Sequence, residues 1–313
     1  MYRAIRSFFD ERGYLEVFTP TLSPSLIPEP TIKSFETEFI NPFEERMKLY
    51  MIPSPEIFMK EMIANGSGSI YQISNCFRNS EQLGDVHNPE FSMLEYYSVG
   101  MDEVDSIKLT KELLNAIPSE NENLRKPFLV TTMRDIFLEK TKIDLDEVQD
   151  EKEIRKAAES LGIHVPGNES WDDTFNRIFI NNVECDISKD VPVVITDYPK
   201  QIECLAKDYT DRPYKKRWEM YIDGVEVANC YDEETDKGKI KGYYVKEYEK
   251  MEKERKGTDD VIPAVDMAFA DLEMKKSSGV AIGLDRLLMT SLSLTEIRPL
   301  LSFPLSDMLT QDN

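Results

Sequence analysis

RWEMYIDGVEVANCYDE, residues 217–233, reads as two short strands around an Asp223-Gly224 turn. Asp-Gly between apolar runs is a strong two-residue hairpin signal, because both turn positions favour residues that tolerate positive φ. Such a turn pairs Ile222 with Val225, Tyr221 with Glu226 and Glu219 with Ala228. Glu219 and Glu226 then share a face as diagonal neighbours, at most about 7–8 Å apart at Cβ, and Asn229 falls on the opposite face. Two like charges so placed repel unless a cation lies between them. Mg²⁺ carrying phosphate oxygens is the natural candidate, since it takes one or two protein carboxylates plus phosphates. The plainer alternative is a solvated face with two glutamates.

The hairpin is joined by other strand pairs. Residues 69–78 and 90–98 are strand-like runs around the polar loop Asn79 to Pro89, and Val191 to Thr196 and Val280 to Ile282 are further short strands. Helical periodicity marks Ala4, Ile5, Phe8 and Phe9 before Gly13, then 102–117, 151–161 and 172–183. Ser54-Pro55-Glu56 predicts a helix start with a serine cap and proline at the first helical position. The Lys/Glu-rich stretch 240–256 reads as a solvated helix. Hairpins and helices mix without a βαβ repeat, which predicts an α+β fold on an antiparallel sheet flanked by helices. Residues 120–215 are the least legible and read as an inserted or peripheral region of a single domain spanning 1–313.

Composition narrows the function. The chain has 313 residues, 41% of them hydrophobic and 31% charged, the balance of a globular enzyme. Thirty-eight basic against 59 acidic residues leave a formal charge of −21, which disfavours a general nucleic-acid binder. No apolar run approaches the roughly 18 residues of a membrane span, and Met1 to Gly13 has the charges of a surface helix rather than the apolar core of a signal peptide. Cys76, Cys185, Cys204 and Cys230 form no CxxC pair, so reduced thiols in a cytoplasmic protein are expected. With only His87 and His164, a His-rich zinc site is excluded. His164 reads as an ordinary histidine, and the chemistry must rest on carboxylates and arginines.

Two more stretches fit that view. In FSMLEYY, residues 91–97, period two puts Phe91, Met93, Glu95 and Tyr97 on one face. A carboxylate there is costly to bury without a partner, so Glu95 faces either solvent or a cationic ligand group. Arg78 projects from the end of the preceding strand as a salt-bridge partner or an anion fork. In GVAIGLDR, residues 279–286, Arg286 sits in the first turn of a helix and opposes its dipole, a cost that makes sense if it meets an anion. No GxxxxGK[ST] or GxGxxG occurs, so P-loop and dinucleotide folds are unsupported.

In this order the pieces resemble the class II aminoacyl-tRNA synthetase catalytic core of the lysyl subgroup. RSFFDERGYLEVFTP (6–20) is similar to motif 1, the dimer-forming helix and strand; CFRNSEQLGDVHNPEFSMLEYY (76–97) to motif 2; and GVAIGLDRLLM (279–289) to motif 3. Residues 217–233 resemble the lysyl-type acidic hairpin. Within the subgroup the chain resembles the short paralogues that attach (R)-β-lysine to a lysine of elongation factor P. They lack the anticodon-binding domain, and this chain likewise begins just before motif 1.

The resemblance implies ATP and Mg²⁺, a lysine-like substrate, a protein acceptor rather than tRNA, and a homodimer. It implies that Arg78 holds the α-phosphate and the substrate carboxylate, and that Asn79, Ser80, Glu81, Asn88, Phe91, Val227, Gly283 and Arg286 serve the nucleotide. Glu219 and Glu226 would bind the metal, Glu226 also meeting ATP. Ser54, Pro55, Glu56, Asn229 and Ala281 would line the amino-acid pocket, with Glu95, Tyr97 and Glu233 around the side-chain ammonium. Three positions depart from the pattern. The motif 2 loop is one residue longer, Cys230 replaces the usual glycine, and Ala281 stands where lysine–tRNA ligases carry glycine and the β-lysine ligases alanine. A lysine–tRNA ligase without an anticodon domain, or a non-catalytic binder, are the alternatives.

Overall fold

The structure is a computed structural model that describes residues 1–80 and 83–309; Glu81 lies outside the described residues. The chain opens with α1 (Tyr2–Asp10), whose Ile5, Phe8 and Phe9 are buried. The turn after it closes at Gly13, with φ +73°, a conformation that glycine adopts at least cost. In order follow β1 (Leu15–Glu16), β2 (Leu22–Ser23), β3 (Glu36–Ile40), β4 (Arg46–Met51), α2 (Glu56–Ala64), β5 (Ile70–Phe77), β6 (Glu90–Val99) and α3 (Glu103–Ala116). Next come β7 (Leu129–Thr132), α4 (Met133–Thr141), α5 (Glu151–Ser160), α6 (Trp171–Asn182) and β8 (Val193–Pro199). The last third holds β9 (Tyr214–Ile222), β10 (Val225–Asp232), α7 (Lys237–Arg255), α8 (Met267–Ala270), β11 (Ser277–Gly283) and α9 (Leu284–Ser291).

Eight strands form the main sheet in the order β1-β5-β6-β11-β10-β9-β8-β7, and β2-β4-β3 form a small second sheet. The expected α+β architecture holds. The inner pairs are antiparallel, while the outermost pairs, β1 with β5 and β7 with β8, are parallel. Alternation divides the sheet. Leu94, Tyr96, Trp218, Met220, Val280 and Ile282 point to the back, into a core shared with α1 and α3. Phe9 is its aromatic centre, stacked on Tyr71 with ring centroids 4.7 Å apart and packed on Tyr14 and Tyr96. Residues 120–215 supply β7, β8 and a second core around the stacked rings of Trp171, Phe175, Phe179 and Phe137.

Three local expectations need correction. The hairpin keeps the Ile222–Val225 and Tyr221–Glu226 pairs, but a β-bulge between Glu226 and Ala228 then shifts the register, so Glu219 pairs with Asn229 and not with Ala228. Val227 is the extra residue, and it returns Asn229 to the face of Glu226. The α2 N-cap is Pro55 rather than Ser54, although Ser54 Oγ still accepts the Glu56 N–H at 3.1 Å. Helix α7 is not solvated all round: Ile240, Tyr244 and Met251 are buried on one face.

Phe9 is fully buried among four other rings, those of Phe8, Tyr14, Tyr71 and Tyr96. Phe9→Ala is expected to cost about 3–5 kcal/mol, the range for deleting a core aromatic, read as a lower denaturant midpoint at unchanged m-value.

Candidate active site

The front of the sheet is built in rows, because residues paired across neighbouring strands share a face. One row runs Gln72, Glu95, Ala281, Asn229 and Glu219 across five strands. The next runs Tyr97, Gly279, Tyr231 and Arg217. A row of carboxylates, amides and small residues where a core would be apolar marks a surface built for a polar ligand. Above it lies a cavity of about 550 Å³ whose wall includes Arg78, Phe91, Glu226, Ala281 and Arg286. That volume suits a small-molecule site.

One end of the cavity is cationic. Arg78 lies over the Phe91 ring, 5.2 Å from its centroid, and its buried Nε has no hydrogen-bond partner among the described residues. A buried guanidinium donor without a partner is costly, and an anion in the cavity would satisfy it. Arg286, in the first turn of α9, is aimed by its neighbours. Its Nη2 donates to His87 Nε2 at 2.7 Å, its Nη1 to the Glu226 carbonyl at 3.0 Å and its Nε to the Val86 carbonyl at 3.1 Å. Asn88, Val227 and Gly283 also line the wall.

Glu219 and Glu226 meet on this floor. Arg217 Nη2 donates to Glu219 Oε1 at 2.5 Å and the Tyr221 hydroxyl to Oε2 at 2.8 Å. The Glu226 carboxylate has, among the described residues, only a 3.4 Å contact with Arg286. Its carboxyl is pushed up to about 7 by burial first and by Glu219 second, so the pair resists ionising together. Two hard oxygen donors whose mutual repulsion a cation would relieve fit Mg²⁺. Among the described residues no group of three or more histidine, cysteine or acidic side chains could hold a metal by itself.

The other end is anionic. Glu56 lines the cavity, and behind the wall lie Glu95 and Glu233, 3% and 2% exposed. Ser54 Oγ donates to Glu95 Oε2 at 2.5 Å and the Tyr97 hydroxyl to Oε1 at 2.9 Å. Lys60 pairs with both Glu56 and Glu233, reaching Glu233 Oε2 at 2.8 Å. Gly279 is required by close approach: a Cβ there would come within 2.4 Å of Glu233 Oε1 and 2.6 Å of the Tyr97 ring.

The structure thus gathers most of the residues singled out in the sequence. Arg78, Asn88, Phe91, Glu219, Glu226, Val227, Asn229, Ala281, Gly283 and Arg286 line one cavity, with Glu56 at its anionic end. Asn79 and Ser80 are exposed outside the wall, where Asn79 N–H donates to the Lys33 carbonyl at 2.8 Å. Pro55 is buried at the α2 terminus. Cys230 points to the back, 3.0 Å from Ser106 Oγ, so its departure from glycine does not touch the cavity. All four cysteines are free.

Sequence reading missed Lys60, Arg217 and Glu29. Lys60 stands four residues after Glu56 and Arg217 two before Glu219, so helical and strand spacing would have flagged both. Glu29, on the cavity wall between Pro28 and Pro30, carried no such signal.

Comparison with known proteins agrees with this geometry. The model of the class II tRNA synthetases of the D, K and N group matches residues 1–307. The chain belongs to that family. It is 35% identical over 318 residues to the elongation factor P–(R)-β-lysine ligase of Hamiltonella defensa, covering 97% of this chain and 92% of the relative. The enzymes of the same name from Proteus mirabilis and Haemophilus influenzae are 34% and 33% identical, each over 96% of this chain and 91% of the relative. Among the described residues no helix is long and apolar enough to cross a membrane.

The anionic end has a signature in pH. Burial first, and Glu56 second, push the Glu95 carboxyl up to about 8, against about 4.3 for an unfolded glutamate. Between those values the folded chain holds the extra proton, so stability falls as pH rises through that window. The ligand-free protein should therefore melt at a lower temperature at about pH 8 than at about pH 6. Glu95→Gln should flatten that difference in differential scanning fluorimetry; a variant with the wild-type slope would count against the assignment.

Proposed function

We propose that this chain uses ATP to activate a lysine-like amino acid, (R)-β-lysine, as its adenylate and passes the acyl group to a lysine side chain of elongation factor P. The observation that carries this reading is one cavity with opposite ends: an arginine pair with an open donor, and a buried excess of carboxylates. The first suits a phosphate and a carboxylate, the second a molecule with two ammonium groups. The names of the relatives support the acceptor.

The substrate carboxylate attacks the α-phosphorus of ATP and pyrophosphate leaves. Arg78 would hold the α-phosphate and the attacking carboxylate together, and Arg286 would meet the phosphate charge from the other side. Phe91 would stack on adenine, with Asn88, Val227 and Gly283 along the nucleotide and Asn79, Ser80 and Glu81 contributing from the loop outside the wall. Glu219 and Glu226 would hold Mg²⁺, which when bound neutralises phosphate charge. Ser54 and Glu56, with Asn229, would receive the amino group, while Glu95, Tyr97 and Glu233 oppose the side-chain ammonium. An acceptor ε-amine then attacks the acyl carbon and AMP departs. Rate enhancement here comes from orientation and preorganised charge, with no protein nucleophile. We place dimerisation on the segment from Arg6 to Pro20, where Leu15 and Phe18 are exposed, and the protein in the cytoplasm.

The purified chain, given ATP and labelled β-lysine, should place the label on elongation factor P and leave tRNA unlabelled. Glu226→Gln should abolish amino-acid-dependent ATP–pyrophosphate exchange with the fold intact. Label appearing on tRNA would favour lysine–tRNA ligation, and unchanged exchange in the variant would reduce the acidic pair to a solvated face.

Ala281 sits in register between Glu95 and Asn229 and lines the cavity. In the proposed pose its methyl would fill space beside the substrate's α-carbon, where an α-amino group branches and a β-amino group does not. A change of this size is worth about 1–3 kcal/mol, or roughly 10- to 200-fold in discrimination. Wild type should prefer β-lysine, and Ala281→Gly should move the preference toward α-lysine, measured by pyrophosphate exchange with both isomers. A ratio unmoved by the substitution would sink this role.

A further inference from the structure

Lys60 is a buried lysine, 7% exposed, on the inner face of α2. Burial disfavours its charge, yet Glu233 and then Glu56 outweigh that effect and hold its pKa well above the ordinary lysine value. Its ammonium pairs with Glu56 one turn earlier and with Glu233 at the end of β10, so it ties a helix to the sheet at the anionic end of the cavity. Glu233 has little freedom to turn away, because its other oxygen lies against Gly279. Glu95 completes the cluster but is fixed by Ser54 and Tyr97 instead. Three carboxylates thus gather around one resident ammonium at the amino-acid end.

We propose that Lys60 is a positioning residue of the amino-acid pocket: its fixed ammonium holds Glu56 and Glu233 in place before substrate arrives, so that the carboxylates gathered there can meet the ammonium groups of a diamino acid. This rests on the ligase reading above. Without a resident cation, buried carboxylates at this density take up protons or swing apart, and an arriving dication must first expel those protons. The pocket of a variant lacking Lys60 is then formally more acidic and yet a weaker receptor for a dication.

The test uses the full chain in amino-acid-dependent ATP–pyrophosphate exchange with β-lysine, lysine and norleucine, which lacks the side-chain ammonium. Lys60→Met should raise KM for the preferred diamino acid by at least about tenfold, the scale of losing one partner of a buried charge pair, while KM for ATP stays within about twofold. Its preference for a diamino acid over norleucine should fall by a similar factor. Lys60→Arg, which keeps the charge, should recover most of the loss. If Lys60→Met fails to fold, Lys60→Gln, which keeps a donor without the charge, should show the same split. An unchanged or lower KM for the diamino acid in the uncharged variants would overturn the proposal. So would equal losses for ATP and amino acid, or an arginine variant no better than methionine. Wild type without exchange for any amino acid would instead fail the ligase reading, which separates the two outcomes.

Discussion

Carboxylates gathered in a low-polarity place are expensive unless cations meet them, and this chain gathers Glu56, Glu95, Glu219, Glu226 and Glu233 on one side of one sheet. The placement of nearly every cation nearby follows from that constraint. Arg217 answers Glu219, Lys60 answers Glu56 and Glu233, and Arg286 reaches toward Glu226. The compensation is uneven. Among the described residues the Glu226 carboxylate keeps one weak contact, Glu95 has only hydroxyl donors, and Arg78 has an open donor. The shortfall at the anionic end and the open donor at the cationic end are what substrates can complete. Binding energy is thus available where the reaction needs orientation.

The sheet tolerates this face because its other face is a dense apolar core. Strand alternation sends Leu94, Tyr96, Trp218, Met220, Val280 and Ile282 backward against α1 and α3, where Phe9 stacks on Tyr71. A buried back fixes the register of every strand, since a one-residue slip would exchange the two faces. The bulge at Val227 is the exception that serves the site. One extra residue places both Glu226 and Asn229 toward the cavity, although three positions separate them.

Cys230, Ala281 and Gly279 sort by face as well. Cys230 points to the core, where it meets Ser106 and packs beside Trp218, and so leaves the cavity unchanged. Ala281 and Gly279 point to the cavity side. Ala281 adds a methyl in the row between Glu95 and Asn229, whereas Gly279 leaves the space that Tyr97 and Glu233 occupy. On the back a substitution is a packing question; on the front it is a question of what can bind.

Much of this was legible in the sequence alone. The Asp223-Gly224 turn, the alternation at 91–97 and the glycine-to-helix junction at 283–284 are local signals, because turn chemistry and side-chain period act over a few residues. They specified the hairpin, the facing of Glu95 with Tyr97, and the nearness of Glu219 to Glu226. The bulge was not legible: an extra residue in a ladder is decided by what the strand packs against on both sides, here β9 and β11. Nor did residues 120–215 announce that β7 and β8 extend the same sheet, since parallel pairing depends on partners more than sixty residues apart. The Lys60–Glu233 pair is of the same kind, as it spans α2 and β10. Short-range periodicity determined which residues could share a face. Only the tertiary structure decided which charges meet, because burial and long-range pairing set the energy of a charge.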